Sequence, residues 1–197
     1  MRVQAPALLP LLRSGVQGKV LATVYLSPER EFSVTQLARI ANASLKATAQ
    51  EVDRLVTAGL LVDRRSGNQR LVRRPAVDRI VAPLTELLAA TFGPLPVLAE
   101  ELRGVDGVSQ AFIYGSWAAR ESGVPGGPPD DVDVLIIGTV PLDDLDLVSE
   151  HAATRLHRAV NIRRLSAEYW AAPPTADTFV TTVKQQPLVV IPLADEE

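Results

Sequence analysis

The feature that most constrains this chain is an interrupted apolar stretch between Ala111 and Gly138. Apolar residues lead into Gly115-Ser116, and a short helix-compatible run carrying Arg120 follows. The Pro/Gly-rich residues 123–129 break that run, and a second apolar run opens on Asp131-Val132-Asp133. The pattern reads strand, turn, short helix, loop, strand. Successive side chains of a strand point to opposite faces. Asp131 and Asp133 therefore project together, with Val132 and Val134 on the other face. Two carboxylates side by side repel and call for a cation between them. Oxygen-only ligands favour Mg²⁺, which commonly takes its remaining ligands from water and phosphate. The glycine lets the backbone approach another group closely, and the helix after it aims its free N–H groups at the same place.

These residues resemble the nucleotidyltransferase superfamily that includes DNA polymerase beta, and most closely its minimal nucleotidyltransferase branch. Gly115, Ser116, Arg120, Asp131 and Asp133 match the family motif of Gly-Ser, a short helix with an Arg, and Ser-Asp-x-Asp. Asp130 stands where the family usually has Ser, and the loop 123–129 is a few residues longer. The resemblance covers residues 108–191. It implies Mg²⁺ held by Asp131 and Asp133, which would also be the catalytic residues of an active enzyme. It further implies a nucleoside triphosphate contacted by Gly115, Ser116 and Arg120. Nucleotidyl transfer uses two metals about 4 Å apart, and the family supplies a third carboxylate from an apolar-Asp-apolar triplet on the neighbouring strand. The matching triplet here is Val160-Asn161-Ile162. Asn has no charge and cannot act as a base, so the resemblance implies weak Mg²⁺-nucleotide binding with slow or absent transfer. His151 and His157 are six apart on a helical run and fall on different faces, which reads as surface rather than metal ligation.

The 197 residues, 47% hydrophobic, suit one large or two small domains. There is no cysteine, which excludes a disulfide framework and a thiolate metal site. Pro6 and Pro10 interrupt the first apolar residues, and no uninterrupted apolar run approaches the ~18 residues of a membrane span. A soluble cytoplasmic protein is expected, without membrane contact. Charge is divided unevenly. Residues 1–75 hold 12 Lys/Arg against 5 Asp/Glu, whereas residues 76–197 hold 8 against 18. A basic first part suggests a module that faces nucleic acid.

Apolar spacing predicts helices over residues 15–26, 34–41 and 44–58, with Ser33 and Ser44 as N-caps and Gly59 at a C-cap. Leu45, Val52, Leu55 and Val56 are the expected core positions of the third helix. Two short strand-like runs, 60–62 and 71–72, flank a polar tip with Gly67-Asn68 as its turn. Three helices and a basic hairpin make a winged helix-turn-helix. Residues 15–74 resemble the ArsR/MarR-type bacterial regulators, on Leu37-Ala38, a turn, a helix, and then Leu55 through Gly59-Leu60. The resemblance implies that the third helix meets base edges in the major groove of double-stranded DNA, through Ser44, Lys46, Ala47, Thr48 and Gln50. It places Arg64, Arg65, Asn68 and Arg70 on a wing that contacts phosphate or the minor groove.

Residues 77–102 carry an apolar helical stripe interrupted at Pro83 and Gly93-Pro94. Such a stripe either packs on the flanking domains or pairs with itself, and pairing in a homodimer is the expectation, by analogy with such regulators.

The expected class is α+β, in three parts. Residues 1–75 form a winged helix-turn-helix, 76–104 a helical connector and dimerisation segment, and 105–197 an α/β nucleotidyltransferase-like domain with a small mixed sheet. The expected function is DNA-binding transcription regulation, with an antitoxin-like form and a partner protein as variants. The alternative is an active Mg²⁺-dependent nucleotidyltransferase that modifies a protein or small molecule.

Overall fold

The computed structural model describes residues 12–76, 79–126, 129–174 and 178–193. The class is mixed α+β, in two compact units, residues 1–93 and 94–197.

In the first unit Ser14 caps α1 (Gly15–Tyr25), its hydroxyl accepting from the Gln17 N–H. A two-residue strand β1 (Phe32–Ser33) leads into α2 (Val34–Ala41), where Ser33 and Gln36 form a reciprocal capping box. Asn42 takes the left-handed conformation at φ 51°, ending α2, and Ser44 caps α3 (Leu45–Thr57). Gly59, at φ +74°, lets the chain reverse so that the Leu60 N–H reaches the Leu55 carbonyl. The hairpin of β2 (Val62–Ser66) and β3 (Gln69–Arg73) follows, and β1 pairs with β3, giving the antiparallel order β1-β3-β2. Val20, Val24, Tyr25, Leu37, Val52, Leu55, Leu61 and Val72 form the core. The buried Tyr25 ring sends its hydroxyl to the Leu60 carbonyl at 2.7 Å. Leu45 departs from expectation. It opens α3 ahead of the inward stripe of Thr48, Val52 and Leu55, and it is 54% exposed.

The segment 76–104 is not a separate body. Its first helix, α4 (Val81–Phe92), belongs to the first unit, where Val81 and Leu88 join the core and Leu84 and Phe92 pack against it. Its second helix, α5 (Pro94–Glu101), gives Val97 and Leu98 to the core of the second unit. Much of the apolar stripe is thus consumed inside the two units, while Ile80 and Leu87 remain 44% and 48% exposed. Pro83 does not interrupt α4, because it sits in the first turn, where helix N–H groups have no internal partner. Gly93 does interrupt the stripe. A Cβ there would lie 2.3 Å from the Ala89 carbonyl oxygen, and the backbone is extended at ψ −177°. Residues 81–101 reach a mean hydropathy of 1.4 over 18 residues, a membrane-span value that uninterrupted-run counting does not reveal. The break leaves helices of 12 and 8 residues, both shorter than the ~20 that a bilayer requires.

The second unit is built on a four-stranded sheet. Its strands are β4 (Val108–Tyr114), β5 (Asp131–Gly138), β6 (Ala159–Leu165) and β7 (Val189–Val190), in the order β6-β5-β4-β7. Only β5 and β6 run parallel, joined by α7 (Leu142–Leu156). Between β4 and β5 lies α6 (Gly115–Glu121). Strand alternation divides the sheet. Val132, Val134 and Ile136 face α5 and α7, against Leu98, Leu145, Val148 and Ala152. Leu135 and Ile137 face the other way, toward α8 (Ala167–Ala171) and α9 (Thr178–Gln185), against Phe112, Trp170, Phe179 and Val183. Thr178 is the first described residue of α9, since 175–177 lie outside the described residues.

Candidate functional sites

Two sites follow from the sequence, one in each unit. In the first, Ser44 is spent on capping: its hydroxyl accepts from the Ala47 N–H at 3.2 Å. Lys46 and Gln50, four apart, are exposed on one face of α3, with Ala47 half-buried beside them. Thr48 is a correction. Its side chain is fully buried and its hydroxyl donates to the Ser44 carbonyl at 3.1 Å, so it braces the first turn and presents nothing to a base.

The wing arginines are not equivalent. Arg64 is held as a fork by Glu31, with Nε to Oε1 at 2.9 Å and Nη2 to Oε2 at 2.5 Å. Arg70 donates to Asp63 across the hairpin at 2.5 Å and to Asp53 on α3. These pairs tie the wing to the segment before β1 and to α3. Asp53 also lies seven residues beyond Lys46 on the exposed face, so the wing packs against the far end of that face. Arg65 is the Cα partner of Arg70 in the hairpin register and shares its side of the ribbon, toward α3. It is exposed and makes no ion pair among the described residues. Asn68 is exposed at the tip, after Gly67 at φ +57°. The expected wing set thus separates into Arg65 and Asn68, which are open, and Arg64 and Arg70, which are engaged within the chain. Glu31 raises the pKa of Arg64 and Arg64 lowers that of Glu31, in each case first through the hydrogen bond they share.

The partners Glu31, Asp53 and Asp63 do not figure in the sequence reading. Asp63 was within reach of it, since the hairpin register makes it a same-face diagonal neighbour of Arg70. Glu31 and Asp53 meet the wing only through tertiary packing.

In the second unit Asp131 and Asp133 share a face at the start of β5, and Val132 and Val134 are fully buried on the opposite one, as alternation requires. The parallel register sets Asn161 beside Asp133. Its Nδ2 donates to Asp131 Oδ2 at 2.9 Å and to Asp133 Oδ1 at 3.1 Å. Gly115, at φ +71°, is required twice over: a Cβ there would lie 2.7 Å from Asp133 Oδ2. Ser116 is exposed on α6. Arg120 turns back on its own loop. Its Nη1 donates to the Val124 carbonyl, its guanidinium lies against Gly126, and its Nε is buried without a hydrogen-bond partner among the described residues. Tyr114, the cross-strand partner of Asp133, stands edge-on to Phe179 with ring centroids 5.8 Å apart. Burial pushes its hydroxyl pKa up, Asp133 adds to the rise, and Arg163 opposes it. Arg163 in turn lies over the Phe179 ring at 3.7 Å.

The resemblance to nucleotidyltransferases implies a third carboxylate beside Asp131 and Asp133. The third position is an amide, and no group of three or more His, Asp or Glu among the described residues could hold a metal ion. Asp130 is exposed at the strand entrance and does not fill the gap. His151 lies 3.6 Å from Glu101, away from this face, and His157 ends α7 in the left-handed conformation.

No protein-family model matches the chain, and no curated protein does. Solved structures match part of it. Wild-type MarR from E. coli, in its apo form, is 24% identical over 44% of this chain and 62% of its own, with a TM-score of 0.35. A mutant MarR from E. coli complexed with operator DNA is 23% identical over 43% and 59%, at 0.33. A homodimeric winged helix-turn-helix DNA-binding domain from Mycobacterium bovis, a possible ArsR-family transcriptional regulator, is 22% identical over 51% and 92%, at 0.30. The chain spans about three fifths of the length of the MarR structures.

Proposed function

We propose that this protein is a cytoplasmic DNA-binding transcriptional regulator, with a nucleotidyltransferase-like second unit that performs no transfer. The observation that carries the first half is the pairing of a capped, exposed α3 face with an open Arg65 on the adjoining wing. The first two turns of α3 offer Lys46 and Gln50 at a spacing that suits neighbouring base edges in a major groove. Arg65 and Asn68 reach outward where a phosphate backbone would pass. The excess of basic residues in positions 1–75 supplies the long-range attraction. The MarR and ArsR-type structures named above bind operator DNA or are described as DNA-binding, and the same role is proposed here.

Support for the second half is the Asn161 amide in the position where transfer would need a carboxylate. A homodimer is part of the proposal. Leu87, exposed on α4, is the apolar side chain that a second copy would cover. Leu87→Asp should then yield monomers with intact helix content, whereas Leu88→Asp should unfold the first unit, because Leu88 is 1% exposed.

The test is selection of genomic fragments by the purified chain. An inverted repeat with half-sites about one helical turn apart is the expected product. Recovery of fragments without a shared sequence would remove the regulator reading.

A further inference from the structure

The hydrogen bonds around Asn161 carry a consequence for the chemistry of the second unit. Asp131 and Asp133 stand two residues apart on one strand, so their carboxylates face the same side. An amide nitrogen carries two hydrogens. Here one nitrogen serves both carboxylates, at 2.9 and 3.1 Å. That is the place between two acids that a cation would otherwise take. The position is fixed from three directions. The parallel register of β5 and β6 sets Asn161 beside Asp133. The absence of a Cβ at Gly115 leaves the room that Asp133 Oδ2 occupies on the other side, where such a Cβ would lie 2.7 Å away. Val160, next to Asn161, is buried in the core and fixes the pleat of β6.

We infer that the Asn161 amide is a built-in, uncharged substitute for a divalent cation, and that it closes the Asp131–Asp133 pair to metal. This goes beyond the loss of transfer proposed above, because even the binding of a single Mg²⁺ is excluded. It is also independent of DNA binding, since all its residues lie in the second unit. A metal entering between the carboxylates must break both amide hydrogen bonds, and a rotated Asn161 offers it only a neutral carbonyl oxygen where a third carboxylate would bring charge. Replacing Asn161 by Asp keeps the number of heavy atoms and removes both donor hydrogens. It sets one carboxylate oxygen about 3 Å from two others, a repulsion that a proton relieves in part and a divalent cation relieves most fully. One residue therefore decides whether this face refuses a metal or demands one.

The experiment is a titration of the full chain with Mn²⁺, following the electron paramagnetic resonance signal of the free ion. Three proteins are compared: the natural sequence, the double variant Asp131→Asn/Asp133→Asn, and Asn161→Asp. The natural sequence should bind no more Mn²⁺ than the double variant, so that exposed acids such as Asp143 and Asp144 cancel in the comparison. Asn161→Asp should gain one site at least tenfold tighter than any in the natural protein, with a melting temperature that rises on adding Mn²⁺ and falls with chelator. One additional ion in the natural sequence relative to the double variant would overturn the inference, as would a folded Asn161→Asp that gains no site. If Asn161→Asp folds only with Mn²⁺, the inference is supported. If it fails to fold under either condition, the first comparison alone decides. A chain that refuses Mn²⁺ yet binds no DNA would sink the regulator reading and leave this one standing.

Discussion

In the wing, Arg64 is met by Glu31, and Arg70 by Asp53 and Asp63; on the sheet of the second unit, Asp131 and Asp133 are met by one neutral amide. Both regions hold concentrated charge, and both satisfy it within the chain. The means differ, and so does what remains available. An exposed ion pair is weak and screened by salt, so a phosphate arriving at the wing competes with the acid for the same guanidinium and gains less from it than from an open arginine. The amide between the aspartates has no charge to exchange. On the proposals above, the wing keeps a capacity for anions, whereas the sheet gives up its capacity for cations.

The sharpest way to test the rigidity of the sheet is at its glycine. Gly115→Ala combines a left-handed backbone with a contact at 2.7 Å on Asp133, and should destabilise the second unit by about 2 kcal/mol or more. Gly59→Ala in the first unit has a similar φ and nothing within 4 Å, so about 1 kcal/mol is expected. Urea unfolding reads both. Trp117 and Trp170 lie in the second unit, so their fluorescence follows that unit alone, while circular dichroism follows the whole chain. Equal losses at the two glycines would remove the claim that Asp133 is pressed against this turn.

Next in size is Asn161→Leu, which removes both donors and should reduce stability by about 1–2 kcal/mol. Arg70→Ala should reduce it by about 1 kcal/mol or less, with the difference from the natural sequence shrinking at high salt. An Arg70 effect that persists in concentrated salt would mean that the guanidinium acts by packing rather than by charge.

The smallest expected effect is in the alkaline range. Burial, and then Asp133, raise the Tyr114 pKa above its ordinary value of 10.0. Stability from a raised group is fully present below the unfolded pKa and is lost as pH rises through the folded one. The second unit should therefore weaken above pH ~10, and Tyr114→Phe should flatten that decline in Trp-monitored melts. An unchanged profile in Tyr114→Phe would assign the loss to another group.

The helices of the first unit were legible because each carries its own start signal. Ser33 and Ser44 cap α2 and α3, Gln36 completes a capping box, and Gly59 closes α3. The faces of β5 were legible because period-two alternation separates Asp131 and Asp133 from Val132 and Val134. The triplet around Asn161 was visible for the same reason, but its two hydrogen bonds depend on a parallel register that local sequence does not set. Strand β1 escaped because two residues carry no period. Thr48 and Leu45 were each assigned to the wrong side of α3, since in its first turn the inward stripe has yet to be established. The engagement of Arg64 and Arg70 escaped because a count of basic residues takes no account of acids brought in from residues 31 and 53. Arg120 matched a motif by position, yet its guanidinium serves the loop at Val124.

The measurement that bears most directly on the central claim is the salt dependence of duplex DNA binding, read by fluorescence anisotropy. The natural sequence, Arg65→Ala, Arg64→Ala and Glu31→Gln should be compared on one duplex. Each phosphate-contacting arginine contributes about one unit to the slope of log affinity against log salt. Arg65→Ala should lose about one unit, and Arg64→Ala clearly less, because Glu31 already holds that guanidinium. Glu31→Gln should steepen the slope by freeing Arg64. A chain that binds no duplex at low salt, or that loses as much slope at Arg64 as at Arg65, would contradict the account.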